Sequence, residues 1–248
     1  MTVIKSPQEV AIMRQAGKIV AAVLQRLREE IKPGIKTSQL DSVAASELEK
    51  YGAKASFKGY RGFPANLCVS VNDEIVHGIP GERRLNDGDI VSLDFGAVVD
   101  GFHGDGAITV GVGGISPKAK ELLSVTEAAL MVGIRAARNG ARLGDVSSAI
   151  QNYVEERRHS VIREYSGHGV GRDLHEDPLV PNFGSPGEGS LLRKGMTLAV
   201  EPMVTTGDWR TRVADNRWTV LTVDGSLSAH FEHTIAISEG EAEVLTLL

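Results

Sequence analysis

Four acidic residues stand at the ends of apolar runs, where folding can carry a carboxylate into the interior. Asp94 and Glu201 each end such a run, and Asp105 and Glu232 each begin one. A carboxylate is costly to bury alone, and carboxylates held close together cannot all stay ionised without protons or cations. Four of them around one point, with an imidazole nearby, are the ligands that a pair of divalent metals needs. For each acid taken alone, the alternative is a turn or cap residue.

An internal repeat pairs these four acids across the chain. Three patterns recur in the same order: His-x-x-Pro, then Leu with Gly and an acid following it, then an acid followed by β-branched residues. The repeated stretches are 77–80 with 175–178, 85–94 with 192–201, and 105–110 with 232–237. They predict two similar halves, 1–115 and 116–248, related by a pseudo-twofold axis within a single domain. The alternative is the general likeness of amphipathic α/β sequences.

The internal repeat also distinguishes among the seven histidines. His77 and His175 are related by the repeat, whereas His168 has no counterpart in the first half. Glycines around His168 allow the backbone to approach a site closely, and the asymmetry would make two bound metals chemically different. His159 stands among charged residues and is expected to face solvent. Three histidines adjoin the acids and could either support the ligands or face solvent: His103, His230 and His233.

Two pairs of helices and several short β-like runs must position these residues. Helical spacing and capping signals predict helices at 6–31, 37–51, 116–139 and 143–158. Runs typical of strands occupy 67–71, 90–95, 107–112, 197–202, 219–223 and 233–237. The mixture indicates a protein of the α/β or α+β class.

Composition argues against several other functions. The net charge of −5 over 248 residues argues against nucleic acid as the main ligand, because phosphate recognition usually needs a basic surface. The single cysteine, Cys68, leaves no intramolecular disulfide framework and fits a reducing compartment. No signal peptide or membrane-spanning run is recognisable, so we expect a cytoplasmic protein without membrane partners. The motifs of nucleotide-binding loops, serine hydrolases and zincins are missing from the sequence.

At these residues the sequence resembles the type I methionine aminopeptidases, which are pita-bread metallohydrolases. The stretches that carry the resemblance are 72–80 (NDEIVHGIP), 93–94 (LD), 100–105 (DGFHGD), 167–176 (GHGVGRDLHE), 200–204 (VEPMV) and 226–234 (SLSAHFEHT). The resemblance covers nearly the whole chain. It implies an α+β pita-bread fold, with an antiparallel sheet inside and helices outside. The short separation of Glu201 from Glu232, with only 30 residues between them, matches type I rather than type II.

The resemblance also implies a set of metal ligands. They are Asp94, Asp105, His168, Glu201 and Glu232. In the family, the residues matching Asp105 and Glu232 bridge two metal ions, Asp94 holds one ion, and His168 with Glu201 holds the other. The ions would be Co²⁺, Mn²⁺, Fe²⁺ or Zn²⁺, and the ligands alone do not choose among them.

Catalytic and substrate-binding residues follow from the same resemblance. Glu201 would shuttle a proton from water to the leaving amine, His175 would polarise the carbonyl, and His77 would hold the amide beyond the scissile bond. An apolar pocket for the methionine side chain would be lined by Tyr60, Phe63, Cys68, His77, Leu174 and Trp218. For the apolar members of this group, the alternative is ordinary core packing. Phe57 and Leu174 differ from the residues common in the family, which affects the pocket's shape rather than the reaction.

The implied activity is removal of the N-terminal methionine from nascent polypeptides whose second residue is small. A water activated by two metals would attack the first peptide bond. The expected partners are nascent chains and, transiently, the ribosome, and the protein itself is expected to be a monomer. One alternative is a proline-specific peptidase of the same fold, although those relatives usually carry a large extra N-terminal domain. The other is a pita-bread binding protein without catalysis, although such relatives usually lose metal ligands.

Overall fold

In the computed structural model, which describes residues 2–248, four helices pack against antiparallel sheets. The helices are α1 (Pro7–Glu30), α2 (Thr37–Lys50), α3 (Pro117–Ala136) and α4 (Leu143–Glu155). The strands are β1 (Lys54–Ala55), β2 (Leu67–Val71), β3 (Glu74–Val76), β4 (Ile90–Val99), β5 (Phe102–Gly111), β6 (Ser160–Val161), β7 (Gly167–Gly169), β8 (Glu176–Val180), β9 (Thr197–Val200), β10 (Met203–Thr205), β11 (Thr211–Val213), β12 (Val220–Thr222), β13 (Ser228–His230), β14 (Glu232–Ala236) and β15 (Glu243–Val244). None of the helices in this part of the chain combines the length and apolarity that crossing a bilayer would require.

The long helices begin where their capping residues predict. At the start of α1, the Ser6 side chain accepts from the Glu9 amide while the Glu9 side chain accepts from the Ser6 amide. This reciprocal capping box satisfies two amides that lack partners within the helix. Ser116 caps α3 in the simpler way, by accepting from the Ala119 amide at 3.1 Å. The four predicted helices are confirmed, and their ends shift by one to three residues because terminal turns fray.

A central sheet of nine strands holds the middle of the molecule. Its main path runs in the order β1-β4-β5-β14-β9-β7-β8, with β2 paired to β4 and β15 paired to β14. The strand β4 and the strand β5 form one continuous hairpin, paired from Ile90 with Gly111 to Val99 with Phe102. Asp105 therefore lies within a strand, and the prediction that an apolar run begins there underestimated β5. The glycines and the histidine in the first half of β5 interrupt the apolar pattern from which a strand is predicted.

The core consists of two main hydrophobic clusters, one built from the first half of the sequence and the other from the second half. One joins α1 and α2 to β2 and β4 and contains residues between Ile19 and Val112. The other joins α3 and α4 to β9 and β14 and, apart from Ile90, contains residues between Ala119 and Ile237. The sheet is continuous between them through the pairing of β5 with β14. The division of the chain into repeated halves at residue 115 stays a prediction, with which this arrangement agrees.

Candidate metal centre

The strand register places three of the acids on one face of the central sheet. Asp94 in β4 pairs with Ala107 in β5, and Ala107 pairs with Glu232 in β14. Directly paired residues of antiparallel strands point to the same face, so Asp94 and Glu232 share a face with Ala107. Asp105 precedes Ala107 by two residues and points the same way.

The same reasoning brings the other two predicted ligands to this face. Thr234 follows Glu232 by two residues in β14 and pairs with Ala199 in β9, which in turn pairs with His168 in β7. Glu201 follows Ala199 by two residues. The five predicted ligands therefore come from five neighbouring strands, or their immediate ends, and face one point.

The atomic distances agree with this convergence. Ligand atoms of Asp105, His168 and Glu232 lie within 4.8 Å of one another, and all three residues are buried. The Nε2 atom of His168 is 3.5 Å from Oε1 of Glu201. Asp94 and Glu201 line the same cavity as the other three. The structure thus brings together all the side chains that the sequence assigned to a metal site.

Burial shifts the protonation equilibria of the four carboxyl groups. It raises the pKa of Asp105 to about 7. It also raises the pKa of Asp94, Glu201 and Glu232 well above the ordinary values, and the neighbouring carboxylates add to each of these shifts. The physical cause is that buried like charges cannot all be ionised together. The site therefore favours either protons or a divalent cation.

The donor set fits a divalent metal better than it fits an apolar interior. The Oδ1 atom of Asp94 and the Oε1 atom of Glu232 are buried without a hydrogen-bond partner. The Nδ1 of His168 donates to the carbonyl oxygen of Gly169 at 2.9 Å, which leaves the lone pair of Nε2 facing the acids. Burial lowers the pKa of His168 to about 4, so the ring is neutral, as a ligand must be. Unpaired oxygens and one oriented imidazole match the coordination of Mn²⁺, Fe²⁺, Co²⁺ or Zn²⁺.

The two histidines related by the repeat also line this cavity. The Nδ1 of His175 is hydrogen-bonded to the hydroxyl of Tyr60 at 2.9 Å, and its ring centroid is 4.1 Å from that of His168. Partial burial and the nearby His168 lower the pKa of His175 to about 3, although its outer side reaches solvent. Burial also lowers the pKa of His77, whose ring meets that of Tyr165 edge to face at 6.1 Å. Both rings are neutral near pH 7 and can donate or accept a hydrogen bond.

An apolar pocket adjoins the carboxylates. The pocket and the carboxylates share one cavity of about 140 Å³, below the range typical of drug-sized ligands, so beside the ligands there is room for little more than one side chain. The lining includes all the residues predicted for substrate, which are Tyr60, Phe63, Cys68, His77, Leu174, His175 and Trp218, together with Phe57 and Arg61. Cys68 is buried, and burial with nearby carboxylates raises the pKa of its thiol well above the usual range. It therefore behaves as an apolar wall rather than as a nucleophile.

Three histidines near the ligands occupy different settings. His230 is 1% exposed, neither of its ring nitrogens has a hydrogen-bond partner, and its Nε2 is 3.6 Å from Oε2 of Glu201. The Nδ1 of His103 is hydrogen-bonded to Ser56, and that of His233 to Thr246. The sequence left open whether these three histidines support the metal ligands or face solvent. Of the three, His230 directly faces the carboxylates.

Other site residues escaped the sequence reasoning, and one histidine was misjudged. Arg61 lines the pocket, and Asn182 donates to the carbonyl oxygen of Glu201 at 3.0 Å. Neither stands in a motif, because only the fold brings them to the site. The prediction that His159 faces solvent is wrong: the residue is 9% exposed, and its Nδ1 lies 2.8 Å from the carbonyl oxygen of Arg157. The short turn after α4 folds the ring inward.

Comparison with known proteins shows which family the chain belongs to. The chain is 54% identical to methionine aminopeptidase 1 of Bacillus subtilis over 246 residues, which is 99% of each chain. It is 50% identical to a methionine aminopeptidase of Clostridium perfringens over the full length of both. Among solved structures, methionine aminopeptidase from Thermotoga maritima superposes with a TM-score of 0.99 at 50% identity, with both chains fully covered. The predicted pita-bread fold is confirmed by this likeness.

The sequence pattern of one peptidase family extends over almost all of the chain. It is described as metallopeptidase family M24 and matches residues 11–239, a stretch that contains every candidate ligand. Both the full-length relatives and the family match agree with the resemblance found in the sequence. The chain belongs to metallopeptidase family M24.

Proposed function

We propose that this chain removes the N-terminal methionine from newly made polypeptides whose second residue is small, with two divalent ions bound by the five converging side chains. The observation that carries the proposal is the convergence of Asp94, Asp105, His168, Glu201 and Glu232 beside a pocket for one side chain. The full-length relatives are methionine aminopeptidases, and the family consists of metallopeptidases. Metal-dependent aminopeptidase activity is therefore the function of the chain.

The proposed chemistry divides the work among the residues of the site. Divalent ions held by Asp94, Asp105, His168, Glu201 and Glu232 would supply Lewis acidity, which makes water a nucleophile near neutral pH. Glu201 is placed to hold the proton that water loses and to deliver it to the leaving amine. A free α-amine of the substrate would bind near Asp94, which favours action at a chain's first peptide bond.

The two histidines and the pocket complete this proposal. His175, fixed by Tyr60, donates to the oxygen of the scissile carbonyl, and His77 holds the next amide. The methionine side chain enters between Phe63, Leu174 and Trp218, whose apolar surfaces offset its loss of hydration. A bulky second residue would collide with the mouth of the pocket, so small second residues are accepted.

The proposal also covers the identity of the metal ions, the partners of the protein and its location in the cell. The ions are Co²⁺, Mn²⁺, Fe²⁺ or Zn²⁺, and availability in the cell decides among them. The protein acts in the cytoplasm as a monomer, on nascent chains and in transient contact with the ribosome. Elemental analysis of protein prepared without oxygen identifies the metal, and ribosome co-sedimentation tests the contact.

A set of four peptides tests the substrate part of the proposal. Met-Ala-Ser should be cleaved fastest, and Met-Leu-Ser should be slower by at least about 10-fold, since a steric clash of a few methylenes costs a few kcal/mol. Acetyl-Met-Ala-Ser should resist cleavage because it lacks the free amine. Preference for Ala-Pro-Ser over Met-Ala-Ser would contradict the proposal and favour a proline-specific peptidase.

A further inference from the structure

A buried ion pair connects the segment before α1 to the turn that carries His175. The Lys5 side chain is 3% exposed, and its Nζ donates to Oε2 of Glu176, whose side chain is 10% exposed. The backbone of Lys5 is fixed as well, because its amide donates to the carbonyl oxygen of Gly195 at 2.8 Å. Both ends of this connection are therefore anchored in the fold.

The second oxygen of Glu176 holds the turn itself. Its Oε1 accepts from the amides of Arg172 at 2.9 Å and Asp173 at 3.4 Å, both within the turn between β7 and β8. Glu176 is the first residue of β8 and lies opposite Gly169 of β7. One carboxylate thus joins the start of the turn to its end, and His175 is the residue directly before it.

The ion pair packs closely against Gly171, which lies in the turn. A Cβ at Gly171 would lie 2.3 Å from Oε1 of Glu176 and 2.5 Å from Cε of Lys5. The carbonyl oxygen of Gly171 also accepts from the His103 amide at 2.8 Å. The ion pair therefore lies directly against the backbone of the turn at Gly171.

We propose that the Lys5–Glu176 ion pair is a positioning element that sets the place of the His175 ring over the metal centre. The inference rests on the proposed function, in which His175 contacts the scissile carbonyl. Desolvation largely offsets the attraction within a buried ion pair, so stability alone does not explain such a pair beside a reactive side chain. Geometry does explain it, because misplacing a group by about 1 Å can cost about 100-fold in rate.

Substitution of Lys5 tests this role by kinetics. Lys5→Met should lower kcat for Met-Ala-Ser roughly 10- to 100-fold and change KM less than about twofold, because the carbonyl contact strengthens in the transition state. In a His175→Ala background the same substitution should cost less than about twofold, since Lys5 acts through His175. Lys36→Met, which removes the exposed pair with Glu82, is the matched control and should leave kcat unchanged.

A second variant separates positioning from stability. In Lys5→Met combined with Glu176→Gln, no buried charge is left unpaired and an acceptor for the turn amides remains. Its thermal midpoint should return toward that of the wild type while kcat stays low. Calorimetric titration with Mn²⁺ should give affinities within about threefold of the wild type, because His168 is held separately by Gly169 and β9.

The ring resonances of His175 give a readout that needs no substrate. They should shift in Lys5→Met and stay unchanged in Lys36→Met. Unchanged kcat and unchanged His175 resonances in Lys5→Met would overturn the proposal, and so would equal losses of kcat in both backgrounds. If the wild-type protein releases no methionine, the proposed function fails, while the resonances still decide whether Lys5 positions His175.

Discussion

At the scale of single residues, three of the candidate ligands, Asp105, His168 and Glu201, are held by contacts that leave atoms free to bind a metal. Thr234 donates to the backbone carbonyl of Asp105 and accepts from its amide, and Asn182 donates to the backbone of Glu201. The backbone of Gly169 orients the His168 ring. Such outer contacts orient ligands before any metal arrives, which is how a protein preorganises a metal site.

His230 is buried beside the carboxylates, and neither of its ring nitrogens has a hydrogen-bond partner, so its contribution to metal binding can be tested. Its Nε2 lies 3.6 Å from Glu201 and 3.9 Å from Glu232, just beyond hydrogen-bond distance, so a small shift of the neutral ring would let it donate to either carboxylate. His230→Leu should weaken binding of Mn²⁺ about 10- to 100-fold, as loss of outer contacts usually does. Titration calorimetry measures this.

The matched control for that measurement is His230→Gln, which retains a donor of similar reach. Its affinity for Mn²⁺ should stay within about threefold of the wild type. An unchanged affinity in His230→Leu would show that the ring only fills space.

At the scale of elements, the hydrogen bond that caps a helix is expected to contribute to the free energy of unfolding without affecting the metal centre. Ser116 supplies one hydrogen bond to the first turn of α3, a helix that packs in the hydrophobic cluster with α4, β9 and β14. Ser116→Ala should lower the free energy of unfolding by about 1 kcal/mol and leave kcat and metal affinity unchanged. Urea unfolding of the metal-loaded protein measures the difference.

Ser116→Asp is the control for this prediction, because aspartate caps helices as well as serine does. It should unfold at the urea concentration of the wild type. A loss equal to that of Ser116→Ala would mean that the hydroxyl serves another purpose than capping.

Local patterns predicted the four helices and six of the strands, whereas the other, mostly short strands and the pairings distant in sequence had to come from the fold. Caps and apolar spacing predicted α1 through α4, and β2 was predicted to the residue. The length of β5 was underestimated, because glycines interrupt its apolar pattern. The pairing of β5 with β14, which brings Asp105 to Glu232, joins residues more than a hundred positions apart and has no local signal.

At the scale of the whole molecule, the site was easier to predict than its surroundings. The five ligands and the two histidines His77 and His175 stand in motifs, so the sequence alone singled them out. The contacts that support them, such as Tyr60 with His175 and Asn182 with Glu201, arise only when separate segments meet. The predicted repeat would explain why the ligands divide between β4–β5 and the strands β7, β9 and β14, with the centre on the seam of two cores.

Release of free methionine from Met-Ala-Ser by protein of measured metal content tests the central claim most directly. Metal-free protein should release none, and activity should return on addition of Mn²⁺, Fe²⁺, Co²⁺ or Zn²⁺. Glu201→Ala should remain slower than the reloaded wild type by at least about 100-fold, since it lacks both a ligand and the proton shuttle. Full release of methionine by protein that elemental analysis shows to be free of metal would contradict the account.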